Sequence, residues 1–157
     1  MTMSSETATD DSLVLRITRH FAAPREQVFR AWTEPARLIR WWGPRGFTVP
    51  QWQMDVREGG AWRTTMRSPD GKDHIVSGVY REITPPARLV FTWGWEADGV
   101  RGHETVVTIE FLERDGGTEL RLTQERFESQ ELRDRHQQGW SSSLDCLEEA
   151  LKATAPA

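Results

Sequence analysis

The sequence predicts an α+β fold in which a curved antiparallel β-sheet packs against one long C-terminal helix. Six segments between residues 47 and 127 alternate apolar and polar residues, and short turns separate them, as expected of antiparallel neighbours. A further strand and two short helices precede these segments, which brings the predicted sheet to seven strands. The last helix is predicted by four apolar residues at helical spacing: Trp140, Leu144, Leu147 and Leu151.

The length of 157 residues is typical of one domain. We expect residues 13–153 to form this domain and residues 1–12, which are polar, to be a disordered tail. The tail has neither the basic nor the apolar region of an export signal, and no run of about 18 apolar residues predicts a membrane span.

Charge and cysteine content narrow the class of protein further. The net charge of −4 argues against a nucleic-acid partner, because proteins that bind phosphate backbones usually carry a clustered basic excess. The single cysteine, Cys146, excludes an internal disulfide and is typical of a protein in the reducing cytoplasm. We therefore expect a cytoplasmic protein.

The N-terminal elements are a strand followed by two short helices. Residues 13–21 alternate apolar and polar side chains, which predicts a half-buried strand. Pro24 stands where a first helical residue belongs, and Pro35 opens a second helix in the same way. Gly43 and Pro44 then end the helical pattern.

The six later strands are predicted at residues 47–56, 61–68, 74–84, 88–97, 103–114 and 118–127. Pro50 lies within the first of them and predicts an edge strand or a bulge, because a central strand needs the N–H that proline lacks. Bulges or kinks that bend the sheet are expected at Gly59, Gly60, Gly78 and Gly94. A bent sheet that holds a helix leaves a space between the two.

The last helix has one apolar and one charged face. Ser129 is its predicted N-cap, and His136 lies one turn before Trp140 on the apolar face. The opposite face carries Arg133, Asp134, Asp145, Glu149 and Lys152. The apolar face must therefore lie against an apolar partner, for which the curved sheet is the candidate.

Aromatic side chains dominate the residues expected to face the space between sheet and helix. The chain has eight Trp but one Tyr, more large aromatic rings than a small core requires. Many apolar walls with few polar groups are typical of a small-molecule pocket, although a fully packed core is an equal alternative. The candidate cavity residues are Trp42, Trp52, Trp62, Met66, Tyr80, Phe91, Trp93, Trp95, Gln124, His136, Trp140 and Leu144.

Motifs for catalysis or metal binding are largely missing. The four histidines lack metal-ligand spacing, and no phosphate loop, dinucleotide motif or nucleophile elbow occurs, so we expect no metal and no cofactor. Catalytic residues stay unknown. His136, Tyr80 and Glu82 are candidates for proton transfer to a bound carbonyl compound if all of them turn inward, but the parity of residues 78–83 is ambiguous.

Five segments resemble the START-like, or SRPBCC, superfamily, and within it the branch named for similarity to the activator of the heat-shock protein 90 ATPase. In chain order they are AAPREQVFRAWTEPARLIRWWGP, EGGAWRTTM, GVYREITPPARLVFTW, GGTELRLT and HQQGWSSSLDCLEEAL. The resemblance implies a helix-grip fold with a hydrophobic cavity. It carries no universal catalytic residue, but Gly59, Gly60, Trp62, Trp93 and Trp140 match the family pattern and would shape the sheet and the cavity.

Function varies widely in this superfamily, which includes lipid and hormone binders, polyketide cyclases and a co-chaperone domain. The leading hypothesis is a protein that binds, carries or senses a hydrophobic, aromatic small molecule and is not an enzyme. The alternative is a polyketide cyclase or isomerase. A third hypothesis is an interaction module, either a chaperone partner or a homodimer, that uses an exposed patch formed by Trp41 and residues 44–47.

Overall fold

The computed structural model describes residues 11–154. Asp11–Leu13 form a 3-10 turn, while residues 1–10 of the predicted tail lie outside the described residues. The helices are α1 (Arg25–Thr33), α2 (Pro35–Leu38) and α3 (Gln130–Thr154). The strands are β1 (Leu15–Phe21), β2 (Thr48–Met54), β3 (Ala61–Arg67), β4 (Asp73–Thr84), β5 (Arg88–Ala97), β6 (Val100–Arg114) and β7 (Gly117–Glu125).

The seven strands form one antiparallel sheet in the order β1-β7-β6-β5-β4-β3-β2. Strands β2 to β7 are joined as consecutive neighbours, and β1 pairs with β7 at the far edge. Strands β2 to β7 therefore form a meander, and β1 is the edge strand beside β7. The predicted α+β fold, with its seven-stranded sheet, two short helices and long last helix, is confirmed.

Strand β2 is the other edge of the sheet, as Pro50 predicts. The register between β2 and β3 shifts between Thr48 and Gln51, so the missing N–H of Pro50 coincides with an irregularity. The edge position and the bulge together remove the need for the donor that proline lacks.

Close backbone approach explains the glycine in the middle of β4. A Cβ on Gly78 would lie 1.8 Å from the carbonyl oxygen of Thr92 and 2.7 Å from Nε1 of Trp62. Two register shifts follow nearby, between Tyr80 and Glu82 and between Gly94 and Glu96. Such irregularities increase local twist and bend a sheet.

Helix α3 packs its apolar face against the sheet. All four residues of the predicted stripe, from Trp140 to Leu151, are buried. Ser129 caps the helix as predicted, because its Oγ accepts a hydrogen bond of 3.2 Å from the N–H of Leu132. The helix is therefore fixed both by its cap and by burial of one face.

The chain between α2 and β2 differs from the sequence-based expectation. Trp41 is only 2% exposed and its indole N–H donates a 3.0 Å hydrogen bond to the carbonyl of Ala31, so it cannot form part of an exposed patch. Backbone hydrogen bonds from Trp41 and Trp42 to Leu38 extend the helical turn beyond α2. This extra turn directs both indoles toward α1 and the core, where they contact Trp32.

Candidate ligand-binding site

A pocket of about 390 Å³ lies between the N-terminal half of α3, strand β5 and the loop that follows Trp42. Its walls are mainly aromatic and aliphatic, with four polar side chains among them. It is lined by Trp42, Gly43, Pro44, Phe47, Met66, His74, Trp93, Trp95, Leu132, Arg135, His136, Gly139, Trp140 and Ser143. Its size and composition are those of a small-molecule site.

Three tryptophans from different elements form one wall of the pocket. The ring centroids of Trp93 and Trp140 are 5.3 Å apart, and Trp42 lies 5.7 Å from Trp140 and 5.8 Å from Trp93. All three side chains are buried, so their positions are set by mutual packing. A rigid aromatic surface of this kind favours flat apolar molecules.

Helix α3 lines the pocket through residues spaced three or four apart. Leu132, His136, Trp140 and Ser143 share one face, as a period of 3.6 residues requires. Gly139 also lines the pocket, and a Cβ there would meet only Cγ of Pro44, at 3.9 Å. The absent side chain leaves room in the pocket beside the helix.

The loop that closes the pocket is tied to α3 by Arg45. Its backbone N–H donates a 2.8 Å hydrogen bond to Oγ of Ser142, and its guanidinium pairs with Glu149 at 2.7 Å. The ion pair is exposed and contributes little to stability. The loop lies beside the helix at this point, and its residues Pro44 and Phe47 line the pocket.

His136 is held by two hydrogen bonds that define its tautomer. Nδ1 lies 2.8 Å from the carbonyl oxygen of Leu132, and Nε2 accepts a 2.9 Å hydrogen bond from the indole N–H of Trp95. Nδ1 therefore carries the proton and Nε2 the lone pair. Burial lowers the pKa of His136, so the neutral form that accepts from Trp95 is favoured.

Gln124 lies beneath the pocket, in a buried hydrogen-bond network. Its Oε1 accepts a 2.8 Å hydrogen bond from the indole N–H of Trp140, and its Nε2 donates one of 2.8 Å to Oγ1 of Thr105. Thr105 donates in turn to the carbonyl of Trp93, at 3.3 Å. Gln124 is fully buried and positions Trp140 without lining the pocket.

Part of the predicted cavity is filled. Trp62, Tyr80 and Phe91 line a void of only about 10 Å³, which is about the space of one water molecule. Leu144 is fully buried and lines neither space. Burial raises the pKa of Tyr80, so its phenol stays protonated.

The three candidates for proton transfer are not brought together. The register shift after Tyr80 changes the parity of β4, and Glu82 pairs with Arg88 at 3.1 Å in a cluster that also contains Glu110. Tyr80 lies at the small void, and His136 lies at the pocket. The structure therefore separates Glu82 and Tyr80 from His136.

Trp52 is also placed away from the pocket. It lies on the edge strand β2, is 42% exposed, and neighbours Arg63 and Thr65. Because β2 is an edge strand within residues 11–154, inward parity does not bury the ring.

Several lining residues escaped the sequence-based prediction. Leu132 and Ser143 could have been found by extending the helical spacing of His136 and Trp140. Pro44, Phe47 and His74 have no such signal, because their approach depends on how the loop and β4 are placed in three dimensions.

No group of three or more His, Cys, Asp and Glu side chains within residues 11–154 could hold a metal ion. None of the helices in the same range combines the length and apolar character needed to cross a membrane.

A curved antiparallel sheet around a long C-terminal helix is the helix-grip fold. The model of the family "Activator of Hsp90 ATPase homolog 1-like protein" matches residues 22–152. The chain belongs to this family.

Solved structures with the same fold cover nearly the whole chain. The AHSA1 protein from Silicibacter pomeroyi is 35% identical, with a TM-score of 0.82, over 90% of this chain and 99% of that chain. A protein from Nitrosomonas europaea is 27% identical, with a TM-score of 0.78, over 92% and 97% of the two chains. CalU16 from Micromonospora echinospora is 26% identical, with a TM-score of 0.67, over 88% and 75%. A search of curated proteins gave no match.

Proposed function

We propose that this protein binds a flat, apolar, aromatic small molecule in the pocket beside residues 136–140 of α3. The observation that carries the proposal is the composition of the pocket. Four Trp and one Phe surround a space of about 390 Å³, within the range of about 300–1,000 Å³ that is usual for small-molecule sites. The family fold is consistent with ligand binding.

Apolar burial would supply most of the affinity. Burying about 200 Å² of ligand surface stabilises a complex by about 5 kcal/mol at 25 cal/mol per Å². Association entropy offsets part of this gain, while the preformed aromatic walls keep the reorganisation cost low. We therefore expect Kd values between about 0.2 and 1 mM for a two-ring ligand.

Carriage or sensing fits the geometry better than acid–base catalysis. The lone pair of His136 Nε2 is already engaged by Trp95, and neither Tyr80 nor Glu82 lines the pocket. A general base must reach the proton that it removes, directly or through one water. A cyclase or isomerase has no comparable supporting observation.

A cytoplasmic location belongs to the same proposal. Its support is Cys146, a free cysteine that is the only one in the sequence. Burial raises the pKa of its thiol, which keeps it in the unreactive protonated form.

Titration with 2-naphthol, followed by isothermal calorimetry, tests the proposal. Gly139→Leu places a side chain into the pocket and should weaken binding by about tenfold or more, because it occupies ligand volume. Gly139→Ala is the matched control, since its methyl group makes only an ordinary contact with Pro44. Equal affinity of wild type and Gly139→Leu would exclude this pocket as the site.

A further inference from the structure

A second apolar pocket, of about 420 Å³, shares a wall with the first. Trp93, Trp95, Leu132 and His136 line both spaces. The remaining lining of the second pocket comes from the ends of β5 and β6 and the chain that leads into α3: Ala97, Val100, Gly102, His103, Thr105, Phe127 and Glu128. The shared residues therefore form a partition between two spaces of similar size.

Most of the partition is firmly anchored. Trp93 is buried against Trp42, Trp62 and Trp140. His136 is fixed by its hydrogen bond to the carbonyl of Leu132 and by ring contact with Phe127, at a centroid distance of 4.9 Å. These residues cannot move without disturbing the core or the first turns of α3.

Trp95 is the most exposed member of the partition. This residue is 37% exposed and lies at the register shift between Gly94 and Glu96. Its side chain is held by the hydrogen bond to His136 and by edge contact with Trp93, at 5.5 Å between centroids. Rotation of this one side chain would remove the part of the partition that faces solvent.

We propose that the two pockets are compartments of one site for an elongated apolar molecule, and that Trp95 is the movable partition between them. This inference rests on the proposed function. The shared wall is aromatic and aliphatic apart from a neutral imidazole, so the middle of the ligand is uncharged. Arg135 and His74 line only the first compartment, and His103 and Glu128 only the second, so polar groups of the ligand belong at its ends.

Opening the partition costs the Trp95–His136 hydrogen bond. The apparent affinity for a long ligand is therefore reduced by the fraction of molecules in which the partition is open. A short ligand in the first compartment instead gains affinity when Trp95 is in the closed position, because it then contacts the indole ring. Truncating Trp95 should shift affinity in opposite directions for short and long ligands.

The experiment uses two uncharged probes on the whole protein. 2-Naphthol is the short probe, measured by calorimetry, and 1,6-diphenylhexatriene is the rod-shaped probe, measured by its own fluorescence. Trp95→Ala should bind 2-naphthol about threefold more weakly and diphenylhexatriene about threefold more tightly than wild type, with one diphenylhexatriene molecule per chain. The two probes should compete.

Trp52→Ala is the matched control, because it removes a similarly exposed tryptophan, on β2, that lines neither compartment. It should leave both affinities unchanged. Trp95→Phe keeps an aromatic wall and removes the indole donor, so it tests the partition even if Trp95→Ala does not fold. Trp95→Phe should increase the affinity for diphenylhexatriene, and it should reduce the affinity for 2-naphthol less than Trp95→Ala does.

The outcomes separate this inference from the proposed function. If 2-naphthol binds but neither Trp95 variant gains affinity for diphenylhexatriene, the partition is refuted and the proposed function stands. Binding of the two probes without competition also refutes it. If neither probe binds to wild type, the proposed function fails, and the inference fails with it.

Discussion

The indole N–H of Trp140 on α3 and Oε1 of Gln124 on β7 form a hydrogen bond of 2.8 Å between two buried side chains. Thr105 on β6 extends this bond toward the carbonyl of Trp93 on β5. One polar side chain therefore links the helix to the strands that carry the pocket wall. Buried networks of this kind stabilise a structure when every member is satisfied.

Gln124→Leu should lower the free energy of unfolding by about 2–4 kcal/mol, because it leaves the buried Trp140 N–H without an acceptor and removes the donor to Oγ1 of Thr105. Urea denaturation followed by circular dichroism measures this change. Gln51→Leu, at an exposed position of β2, is the control and should change stability by less than about 0.5 kcal/mol. A Gln124 variant as stable as wild type would show that the network adds nothing to stability.

The pH dependence of stability should reveal the neutral state of His136. Burial lowers its pKa in the folded protein, so the unfolded chain takes up a proton near pH 6.5 (about the ordinary value) while the folded protein does not. The free energy of unfolding should therefore be constant above about pH 7 and fall as the pH decreases through 6.5 toward the folded-state pKa. The other ionisable groups that line the two pockets around it are Arg135, His74, His103 and Glu128.

His136→Gln keeps an oxygen that can accept from Trp95 and removes the titration. As the pH falls from about 7.5 to 5.5, the free energy of unfolding should decrease more for the wild type than for His136→Gln. NMR titration of the imidazole should give a pKa below about 6.5. The carboxyl pKa values of Asp73 and Glu149 are also lowered, but these groups affect the free energy of unfolding at more acidic pH than His136 does. Parallel pH profiles for the two proteins would contradict the prediction.

Gly139→Ala should stabilise the protein by about 0.5–1 kcal/mol. Gly139 lies inside α3, where glycine loses more backbone entropy on folding than alanine does. The new methyl group meets its nearest neighbour, Pro44, at an ordinary distance of 3.9 Å. A higher Tm with retained 2-naphthol binding is the expected result, and a lower Tm would mean that the loop packs more tightly on α3.

Gly78→Ala should destabilise the protein by about 3 kcal/mol or more, because its Cβ would overlap the carbonyl of Thr92. Gly102→Ala, in β6, is the matched control, since its nearest atom is the carbonyl oxygen of Trp95 at 3.5 Å. Thermal unfolding of the two variants should differ widely. Similar Tm values would show that β4 can shift away from β5 at this point.

Local patterns in the chain determined most of the fold. Strand and helix periodicity depend on near neighbours, as does the capping by Ser129, so the element order and the apolar face of α3 were predictable. Pro50 indicated the edge strand because its missing donor constrains any sheet in the same way. Strand parity identified Trp93 and Trp95, and helical spacing identified Trp140, as facing the space between sheet and helix. All three line the pocket.

Tertiary structure decided which inward residues leave a space and which fill it. Trp62 and Phe91 have the same strand parity as Trp93, yet they pack around a void of about 10 Å³ because Trp32 and Trp42 reach them from outside the sheet. One extra residue in β4 turns Glu82 toward Arg88, and the indole of Trp95 occupies the lone pair of His136. These results depend on contacts between residues far apart in the chain, which periodicity does not encode.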